Sequence, residues 1–387
     1  MNSRPLRVAL FSGNYNYVRD GANQALNRLV GYLLRQGVEV RVYAPEVANP
    51  AFEPTGTLIG LPSLSIPGRG EYRVTTGLSR KVRRDLEAFD PDIIHISAPD
   101  PAAHRAVTWA EERGLPVVAS VHTRFETYLS YYRLSALVPL LMTLLRRLYR
   151  RCDVLLAPVA STATVLREQG MGDHIEIWSR GVDRNQFNPT RRDMAWRRAQ
   201  GIQDDEVAVA FLGRLVLEKG LDTFAEVITR LKENKVNIRP LIIGDGPARK
   251  CFEEQLPEGV FVGFLEGEEL GKALASGDVL FNPSVTETFG NVTQEALSCG
   301  VPVVAAAATG ASNLIQHGEN GMLVQPHDMA GYVDALAAYA RDPALRAAHG
   351  NAGIAFAKTR DWDEINSAVL SVYHQLIARN QRKAKVA

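Results

Sequence analysis

The sequence predicts an α/β fold built from two doubly wound parallel-sheet domains that face each other across a cleft. Three observations predict it. Short segments that are apolar on both faces alternate with segments of helical periodicity, the alternation restarts midway along the chain, and 387 residues exceed one ordinary core. Strands buried on both faces and joined by helices form parallel sheets, so two such series imply two Rossmann-like domains.

The first series contains five apolar strand-like runs, each followed by a segment of helical periodicity. The runs are RVALFS (7–12), VEVRVYAP (38–45), DIIHIS (92–97), PVVASVH (116–122) and DVLLAPV (153–159). The helical segments include ANQALNRLVGYLLRQG (22–37) and ALVPLLMTLLRRLYRRC (136–152). Both the lengths and the periods are those of βα units.

The second series repeats the pattern after a polar interruption. Its strand-like runs are VAVAFLGR (207–214), RPLIIGDG (239–246), VFVGF (260–264), DVLFNPS (278–284), PVVAAA (302–307) and GMLVQP (321–326). We predict an N-terminal domain over 1–185, a hinge within RGVDRNQFNPTRRD (180–193) and a C-terminal domain over 190–360. The apolar residues after Lys358 recur at helical spacing, and we expect a closing helix over 362–381 to pack back on the N-terminal domain.

Composition limits the cellular setting. Three scattered cysteines suggest a reducing cytoplasm, and neither a signal peptide nor a run of about 18 apolar residues is found. A net charge of +1 argues against nucleic acid as a partner. The basic segments SRKVRRD (79–85) and LLRRLYRR (144–151) are open to two interpretations, solvated helix faces or contact with an anionic membrane on its inner face.

The segment FNPSVTETFGNVTQEALSCG (281–300) is the most informative in the chain. A strand ends near Pro283, a loop delivers Glu287, and a helix beginning near Asn291 carries Glu295. Phe289 and Gly290 allow a tight turn, and the first helical turn, including Asn291 and Val292, offers free N–H groups to a phosphate. Two acids beside an anion site favour a nucleotide-sugar as ligand, whereas solvated acids near a helix start are the alternative.

A second loop supplies cations at the same edge of the predicted sheet. FLGRLVLEKG (211–220) places Arg214 and Lys219 after a strand, where they can neutralise a diphosphate leaving group. Ligands bind outside the carboxyl ends of parallel strands, so both loops are expected in one site. Surface cations without a ligand are the alternative.

Two glycine segments and one histidine complete the candidate site. In YVRDGANQAL (17–26), Gly21 opens a helix where the backbone can approach a phosphate, and the absence of G-x-G-x-x-G argues against a dinucleotide oxidoreductase. Gly246, in IGDGPAR (243–249), is either part of the donor site or a plain turn. His122 ends an apolar strand in SVHTRFETY (120–128) and is either functional or a satisfied core histidine.

No metal site is predicted. Asp90 and Asp92 form a D-x-D pattern, but they precede a strand and lie at the wrong end of a parallel sheet for a ligand, so we interpret them as turn residues. No other cluster has the spacing of metal ligands.

Together these segments resemble glycosyltransferase family 4, the group 1 glycosyl transferases of the two-domain GT-B fold. TETFGNVTQEA resembles the family's Glu-x7-Glu signature, GRLVLEKG its diphosphate-binding loop, and DGANQAL its N-terminal glycine loop. PDIIHISAP (91–99), SVHT (120–123) and WSRGVD (178–183) resemble the branch with sulfoquinovosyl-diacylglycerol synthases and GDP-mannose-dependent α-mannosyltransferases. One departure is Asp20-Gly21, where relatives usually carry two glycines.

The resemblance implies a metal-independent, retaining α-hexosyltransferase. It would move a hexose, with mannose favoured, from a GDP- or UDP-sugar to a lipid or glycan acceptor bound by the N-terminal domain. Glu287 would hold the sugar hydroxyls and Glu295 the ribose, Arg214 and Lys219 the diphosphate. Gly21 would approach the leaving group and His122 the sugar, and no cofactor would be needed. These six residues are the core of the predicted catalytic and donor-binding set.

Three other functions are alternatives to glycosyl transfer. Retaining glycosidases also use paired carboxylates, but these lie about 5–5.5 Å apart, whereas eight helical residues rise about 12 Å. A nucleotide-sugar epimerase of similar fold would convert the donor without an acceptor. A non-catalytic lipid- or partner-binding protein would not need Arg214, Lys219, Glu287 and Glu295 together.

Overall fold

The computed structural model describes residues 4–18, 21–66, 69–122, 138–287, 289–308 and 310–386, and the chain divides into two compact units. The first unit comprises Met1–Ser179 and Trp362–Ala387, and the second Arg180–Asp361. The first change of unit, between Ser179 and Arg180, thus lies at the start of the predicted hinge and a few residues before the predicted domain end at 185. Side chains of the second unit explain this, since Gln294 donates to the Arg180 carbonyl (3.0 Å) and Ser298 to that of Phe187 (2.6 Å).

The first unit contains a seven-stranded, fully parallel sheet in the order β3-β2-β1-β6-β7-β8-β9, beside a two-stranded antiparallel hairpin β4-β5. Its strands are β1 (Arg7–Phe11), β2 (Glu39–Pro45), β3 (Thr57–Leu61), β4 (Ser63–Ile66), β5 (Arg69–Thr75), β6 (Ile93–Ile96), β7 (Val117–Ser120), β8 (Val154–Ala157) and β9 (Ile175–Ile177).

Helices cover both faces of this sheet. They are α1 (Gly21–Arg35), α2 (Arg80–Phe89), α3 (Pro101–Glu111), α4 (Val138–Tyr149), α5 (Ala160–Glu168) and the closing helix (Trp362–Val386). Alternate residues of β1 enter opposite cores, Ala9 and Phe11 with α2–α5, Val8 and Leu10 with α1 and the closing helix. Burial on both faces is why these strands are apolar throughout.

The second unit contains a six-stranded parallel sheet in the order β12-β11-β10-β13-β14-β15. Its strands are β10 (Val207–Leu212), β11 (Ile238–Ile243), β12 (Val260–Gly263), β13 (Val279–Asn282), β14 (Val303–Ala306) and β15 (Gly321–Val324). Its helices are α6 (Met194–Ala199), α7 (Leu221–Glu233), α8 (Arg249–Gln255), α9 (Gly267–Ala275), α10 (Asn291–Ser298), α11 (Met329–Arg341) and α12 (Pro343–Lys358). Two doubly wound parallel sheets confirm the predicted fold class.

Four strands, all in the first unit, were not predicted from the sequence. These are the edge strand β3, the hairpin strands β4 and β5, and the three-residue β9. Each is short, polar or partly exposed, so none shows the continuous apolar run of a central strand. No helix among the described residues is both long and apolar enough to cross a bilayer.

A buried ion-pair cluster closes the amino edge of the second sheet. The Asp278 carboxylate, just before β13, accepts from Arg197 Nη1 (2.8 Å), Arg192 Nη2 (2.6 Å) and the Ala208 N–H of β10 (2.7 Å). Burial alone would raise the pKa of Asp278, but the two guanidinium charges and these hydrogen bonds outweigh it and hold that pKa below its usual range. The Arg197 side chain is only 1% exposed, so its charge depends on Asp278 for compensation.

We predict that Asp278→Asn lowers the free energy of unfolding at pH 7 by about 3 kcal/mol, because it leaves a buried guanidinium without its counter-charge. The pKa of Asp278 is lower in the folded state than the value of about 3.9 expected in the unfolded state. Its carboxylate therefore stabilises the folded protein at pH values above about 3.9, and this stabilisation is lost as the pH falls through the pKa of the folded state. The difference in the free energy of unfolding between wild type and Asp278→Asn, measured by urea denaturation, should therefore become smaller below about pH 4.

The matched control is Asp204→Asn, which breaks the exposed Asp204–Arg198 pair in the same unit. It should leave the denaturation curve nearly unchanged at pH 7. Equal effects of the two substitutions, or a gap that does not depend on pH, would contradict the structural role of Asp278.

Candidate active site

The site lies where the strand order of the second sheet reverses, between β10 and β13. These strands are parallel neighbours, with Val209 opposite Val279, so their carboxyl ends deliver adjacent loops, 213–220 and 283–290. Such a reversal point is where doubly wound sheets bind ligands. The loops touch at Gly220, where φ is +76° and a Cβ would lie 3.2 Å from the Pro283 carbonyl oxygen. Only glycine suits this approach.

Lys219 and Glu287 form an ion pair that joins the two loops. Lys219 ends a 3₁₀ turn (Leu217–Lys219), and its Nζ donates to Oε1 of Glu287 at 2.9 Å. The Lys219 side chain is 30% exposed and that of Glu287 only 12%. From the sequence, Lys219 is predicted to bind the diphosphate and Glu287 the sugar. The two side chains are in direct contact, so a ligand that binds one of them must also fit beside the other.

Asn282 braces Glu287 from below and was missed by the sequence analysis. Its Nδ2 donates to Glu287 Oε2 (3.2 Å) and to Thr293 Oγ1 (3.4 Å), while its Oδ1 accepts from the Ser284 N–H (3.3 Å). Both carboxylate oxygens of Glu287 are therefore engaged as acceptors. The available signal was a polar residue ending the apolar strand VLFN, since such a side chain falls at the ligand edge of the sheet.

The amino end of α10 opens beside Glu287. Gly290 is its N-cap, with φ of +91° and no capping side chain. Among the described residues, the N–H groups of Asn291 and Val292 have no acceptor, as an anion site at a helix start requires. Phe289 is buried under the turn, and the partly exposed Glu295 lies one turn further along α10. Thr288 of the predicted signature lies outside the described residues.

A third loop, after β14, was also missed by the sequence analysis. A Cβ at Gly310 would lie 2.8 Å from the Glu287 carbonyl oxygen, so the backbone at 310 closes directly on the loop that carries the acid. This close approach fixes the path of the chain before α10. A lone glycine between small residues gave no distinct signal in the sequence.

Arg214 and Gly246 occupy neighbouring loops with different surroundings. The Arg214 side chain is exposed and forms no ion pair with a described residue, so it can turn toward an anion. A Cβ at Gly246 would lie 2.4 Å from the Leu215 carbonyl oxygen, because the Leu215 and Asp245 backbones are hydrogen-bonded at 2.9 Å. Close packing behind the Arg214 loop thus accounts for Gly246, and a contact with donor remains a prediction.

Gly21 and His122 belong to the first unit. Gly21 begins α1, and Asn27 of that helix braces the preceding loop by donating to the Tyr15 carbonyl (2.9 Å) and accepting from the Thr55 N–H (2.9 Å). Arg19 and Asp20 lie outside the described residues, so the Asp20-Gly21 departure is not described further.

His122 lies two residues beyond β7, at the carboxyl edge of the first sheet, and its imidazole packs edge-on against the Trp178 indole with ring centroids 5.2 Å apart. The rest of SVHTRFETY, from 123 to 128, lies outside the described residues.

The D-x-D residues lie at the opposite edge of the first sheet. Asp90 caps the end of α2 with φ of +49°, and Asp92 accepts from the Arg7 N–H that starts β1 (2.9 Å). Their structural role as turn and edge residues matches the sequence interpretation. Within the described ranges, no three His, Cys, Asp or Glu side chains group as a metal site.

Comparison with known proteins decides the family. The model described as "Glycosyltransferase Family 4" matches residues 19–186, and that of "Glycosyl transferases group 1" matches 193–356. The chain belongs to glycosyltransferase family 4. This glycosyltransferase is 32% identical to sulfoquinovosyl transferase SQD2 of Arabidopsis thaliana, over 99% of this chain and 76% of that protein. It is 30% identical to a GDP-mannose-dependent alpha-mannosyltransferase of Mycolicibacterium smegmatis, over 98% of this chain and 100% of that protein.

Solved structures show the same fold. Sucrose-phosphate synthase from Thermosynechococcus elongatus superposes with a TM-score of 0.80 at 19% identity, over 97% of this chain and 100% of that one. Anabaena HepE in complex with UDP-glucose superposes with a TM-score of 0.73 at 20% identity, over 95% of this chain and 99% of that one. The glycosyltransferase thus has the GT-B fold, as predicted. Its family is one of transferases, which favours transfer over the epimerase and non-catalytic alternatives.

We predict that Glu287→Gln tightens the binding of a free nucleoside diphosphate by about twofold to fivefold while abolishing most transfer. The substitution removes the Glu287 charge from Lys219 and removes a carboxylate that repels the ligand, and a single ion pair that still has contact with solvent contributes an energy of this order. Isothermal titration with GDP and with UDP measures the change in Kd.

Glu218→Gln is the matched control, since it removes an acid from the turn that carries Lys219. The Glu218 backbone carbonyl accepts from Thr286, so the substitution of its side chain leaves this hydrogen bond in place. It should change the Kd less than Glu287→Gln does. Equal shifts in both variants would show that only the summed charge matters and not the ion pair.

Proposed function

We propose that this glycosyltransferase moves a hexose, with mannose favoured, from a nucleoside-diphosphate sugar to a lipid-linked or membrane-associated acceptor, with retention at the anomeric carbon. The observation that carries the proposal is the Lys219–Glu287 pair beside the open start of α10. A cation, free N–H groups and a carboxylate in one place match a diphosphate joined to a polyol. The named donor of the mannosyltransferase relatives, GDP-mannose, supports the choice of sugar.

The donor would be held in two parts. The diphosphate would lie against the α10 start, with Lys219 and the exposed Arg214 as its cations, and Gly21 of the first unit as a further backbone contact. The Glu287 carboxylate would accept from sugar hydroxyls and Glu295 from the ribose. Phe289 and Gly290 shape the turn between these acids.

Catalysis would consist mainly of stabilising the leaving diphosphate. As the bond between the anomeric carbon and the diphosphate oxygen breaks, its electron pair passes to that oxygen, where Lys219, Arg214 and the N–H groups of Asn291 and Val292 would stabilise the new charge. The acceptor hydroxyl oxygen would form the new bond to the anomeric carbon, and its proton would pass to the departing diphosphate. Two protein cations supply the charge that a metal would otherwise bring, which is why we propose transfer without a metal. His122 would lie near the sugar in the same complex.

The acceptor side would involve a membrane surface through α4. Its buried face packs Met142, Leu145 and Leu148 into the first-unit core. The opposite face exposes Leu140 (61%) and Leu144 (45%), with Arg147 one turn further on. An apolar stripe ending in cations suits the interface of an anionic membrane, so we propose peripheral contact on its cytoplasmic face. Residues 136 and 137 of the predicted helical segment 136–152 lie outside the described residues.

We predict that Lys219→Ala and Arg214→Ala each lower kcat by about a hundredfold to a thousandfold, corresponding to about 2.7–4 kcal/mol of barrier for one lost donor to a developing anion. A thermal-shift screen of GDP- and UDP-sugars first identifies the donor, because a ligand that binds the native state raises its Tm. Transfer to a lipid acceptor is then followed by chromatography, and the anomeric configuration of the product by NMR.

Arg230→Ala is the control, since Arg230 lies on α7 in an exposed pair with Glu226. Its kcat should equal that of wild type. The proposal fails if the Lys219 or Arg214 variant keeps the wild-type rate, if no nucleotide-sugar raises the Tm, or if the product has inverted configuration.

For the membrane contact, we predict that wild type floats with vesicles of anionic lipid and that the double variant Leu140→Ser, Leu144→Ser does not. Removing the exposed apolar pair takes away the part that enters the interface, while the fold keeps its buried face. Leu217→Ser, at an equally exposed leucine of the second unit (64%), should float like wild type. Flotation unchanged in the double variant would refute the role of α4.

A further inference from the structure

A buried polar cluster lies between the first sheet and the closing helix, directly behind His122. We call it the closing-helix cluster and define it as His95, Trp178, Asn366 and Tyr373. All four side chains are at most 1% exposed. His95 is in β6, Trp178 directly follows β9, and Asn366 and Tyr373 are on the closing helix. Seven residues of helix are about two turns, so these last two point the same way.

Two hydrogen bonds attach the cluster to the closing helix. The Trp178 Nε1–H donates to Asn366 Oδ1 at 3.1 Å, and the Tyr373 hydroxyl is 2.5 Å from His95 Nδ1. The His95 imidazole in turn packs edge-on against the Trp178 indole, with centroids 6.2 Å apart and planes at 69°. The Trp178 ring is thus fixed both through its N–H and through its edge.

Trp178 also contacts His122. Their rings meet edge to face, with centroids 5.2 Å apart and planes at 65°. Edge-to-face geometry is a preferred arrangement of aromatic rings and is sensitive to rotation of either one. The orientation of the His122 imidazole therefore depends on an indole that Asn366 holds in place.

A purely structural core would not need this chemistry. Among the described residues, His95 Nε2 and Asn366 Nδ2 are buried with no hydrogen-bond partner, and each such group costs stability. Burial lowers the pKa of His95 to about 3, so the cluster stays neutral near the site. Apolar side chains of similar volume would avoid these costs. What the polar groups add is one defined position for each ring.

We propose that Trp178, held by Asn366 of the closing helix, is a positioning residue that sets the orientation of His122 for glycosyl transfer. The inference rests on the proposed place of His122 beside the donor sugar. Asn366 and Tyr373 act at one remove, through Trp178 and through His95. Residues 188 positions apart in the sequence would thereby share one task in the first unit.

A double-mutant cycle between Asn366→Leu and His122→Ala tests the proposal. Asn366→Leu should lower kcat by about tenfold to a hundredfold, the order expected for a displaced catalytic group, while the Kd of the nucleoside diphosphate stays as in wild type. In the His122→Ala background the same substitution should change kcat by less than about twofold, because the group it positions is gone.

Two conservative series separate positioning from stability. Trp178→Phe keeps a ring against His122 and should retain more activity than Trp178→Leu. Tyr373→Phe and Tyr339→Phe each delete one hydroxyl from a buried Tyr–His pair, since Tyr339 of the second unit lies 2.6 Å from His349 Nδ1 with similar ring geometry. Both should shift the Tm alike, and only Tyr373→Phe should lower kcat.

Three results would overturn the proposal. Asn366→Leu could slow transfer equally in both backgrounds, or the folded Tyr373→Phe and Trp178→Leu variants could keep the wild-type kcat. Finally, His122→Ala could itself leave the transfer rate unchanged. That last result would remove the role of His122 while transfer itself persists, so it is distinct from failure of the proposed activity, in which no nucleotide-sugar is consumed by wild type.

Discussion

The ion pair between Lys219 and Glu287 is the contact on which the organisation of the second unit's site depends. It joins loops 68 residues apart in sequence and exists because β10 and β13 are neighbours where the strand order reverses. A half-buried pair gains little net stability, since desolvation offsets most of its attraction. Its importance is positional, because it fixes a cation and an acid beside the open start of α10 before any ligand arrives. Preorganised groups of this kind need little rearrangement as charge develops.

At the amino edges of both sheets, acidic residues have a purely structural role. Asp92 accepts from the Arg7 N–H (2.9 Å), Asp153 from the Val117 N–H (2.9 Å) and Asp278 from the Ala208 N–H (2.7 Å). In each case an aspartate just before one strand binds the start of its neighbour. Acidic residues are thus structural at the amino edge of a sheet and can bind ligands at its carboxyl edge. For this reason Asp90 and Asp92, which precede a strand, were predicted to be structural, whereas Glu287, which follows a strand, was predicted to bind a ligand.

The sequence predicted those parts of the molecule that leave a local pattern. Central strands are apolar on both faces, and the loops after them were placed correctly at one edge, which brought Lys219 and Glu287 into one site. Strand β9 and the hairpin have no such pattern, because polar residues interrupt their apolar ones. Nor does sequence indicate that Asn282 and Lys219 would share one carboxylate, since that depends on side-chain direction. The contact between His95 and Tyr373 spans 278 residues and has no local signal at all.

The engagement of Glu287 also bears on how a retaining transfer would proceed here. A nucleophilic carboxylate must direct an unshared electron pair at the anomeric carbon. Lys219 donates to one oxygen of Glu287 and Asn282 to the other, and both hydrogen bonds reduce the nucleophilicity of this carboxylate. In the transfer proposed above, its role would be to accept hydrogen bonds from the sugar. Retention would then depend on the acceptor approaching from the side of the departing diphosphate, whose charge Lys219 and Arg214 compensate. The leaving group, and not an enzyme carboxylate, becomes the centre of the chemistry.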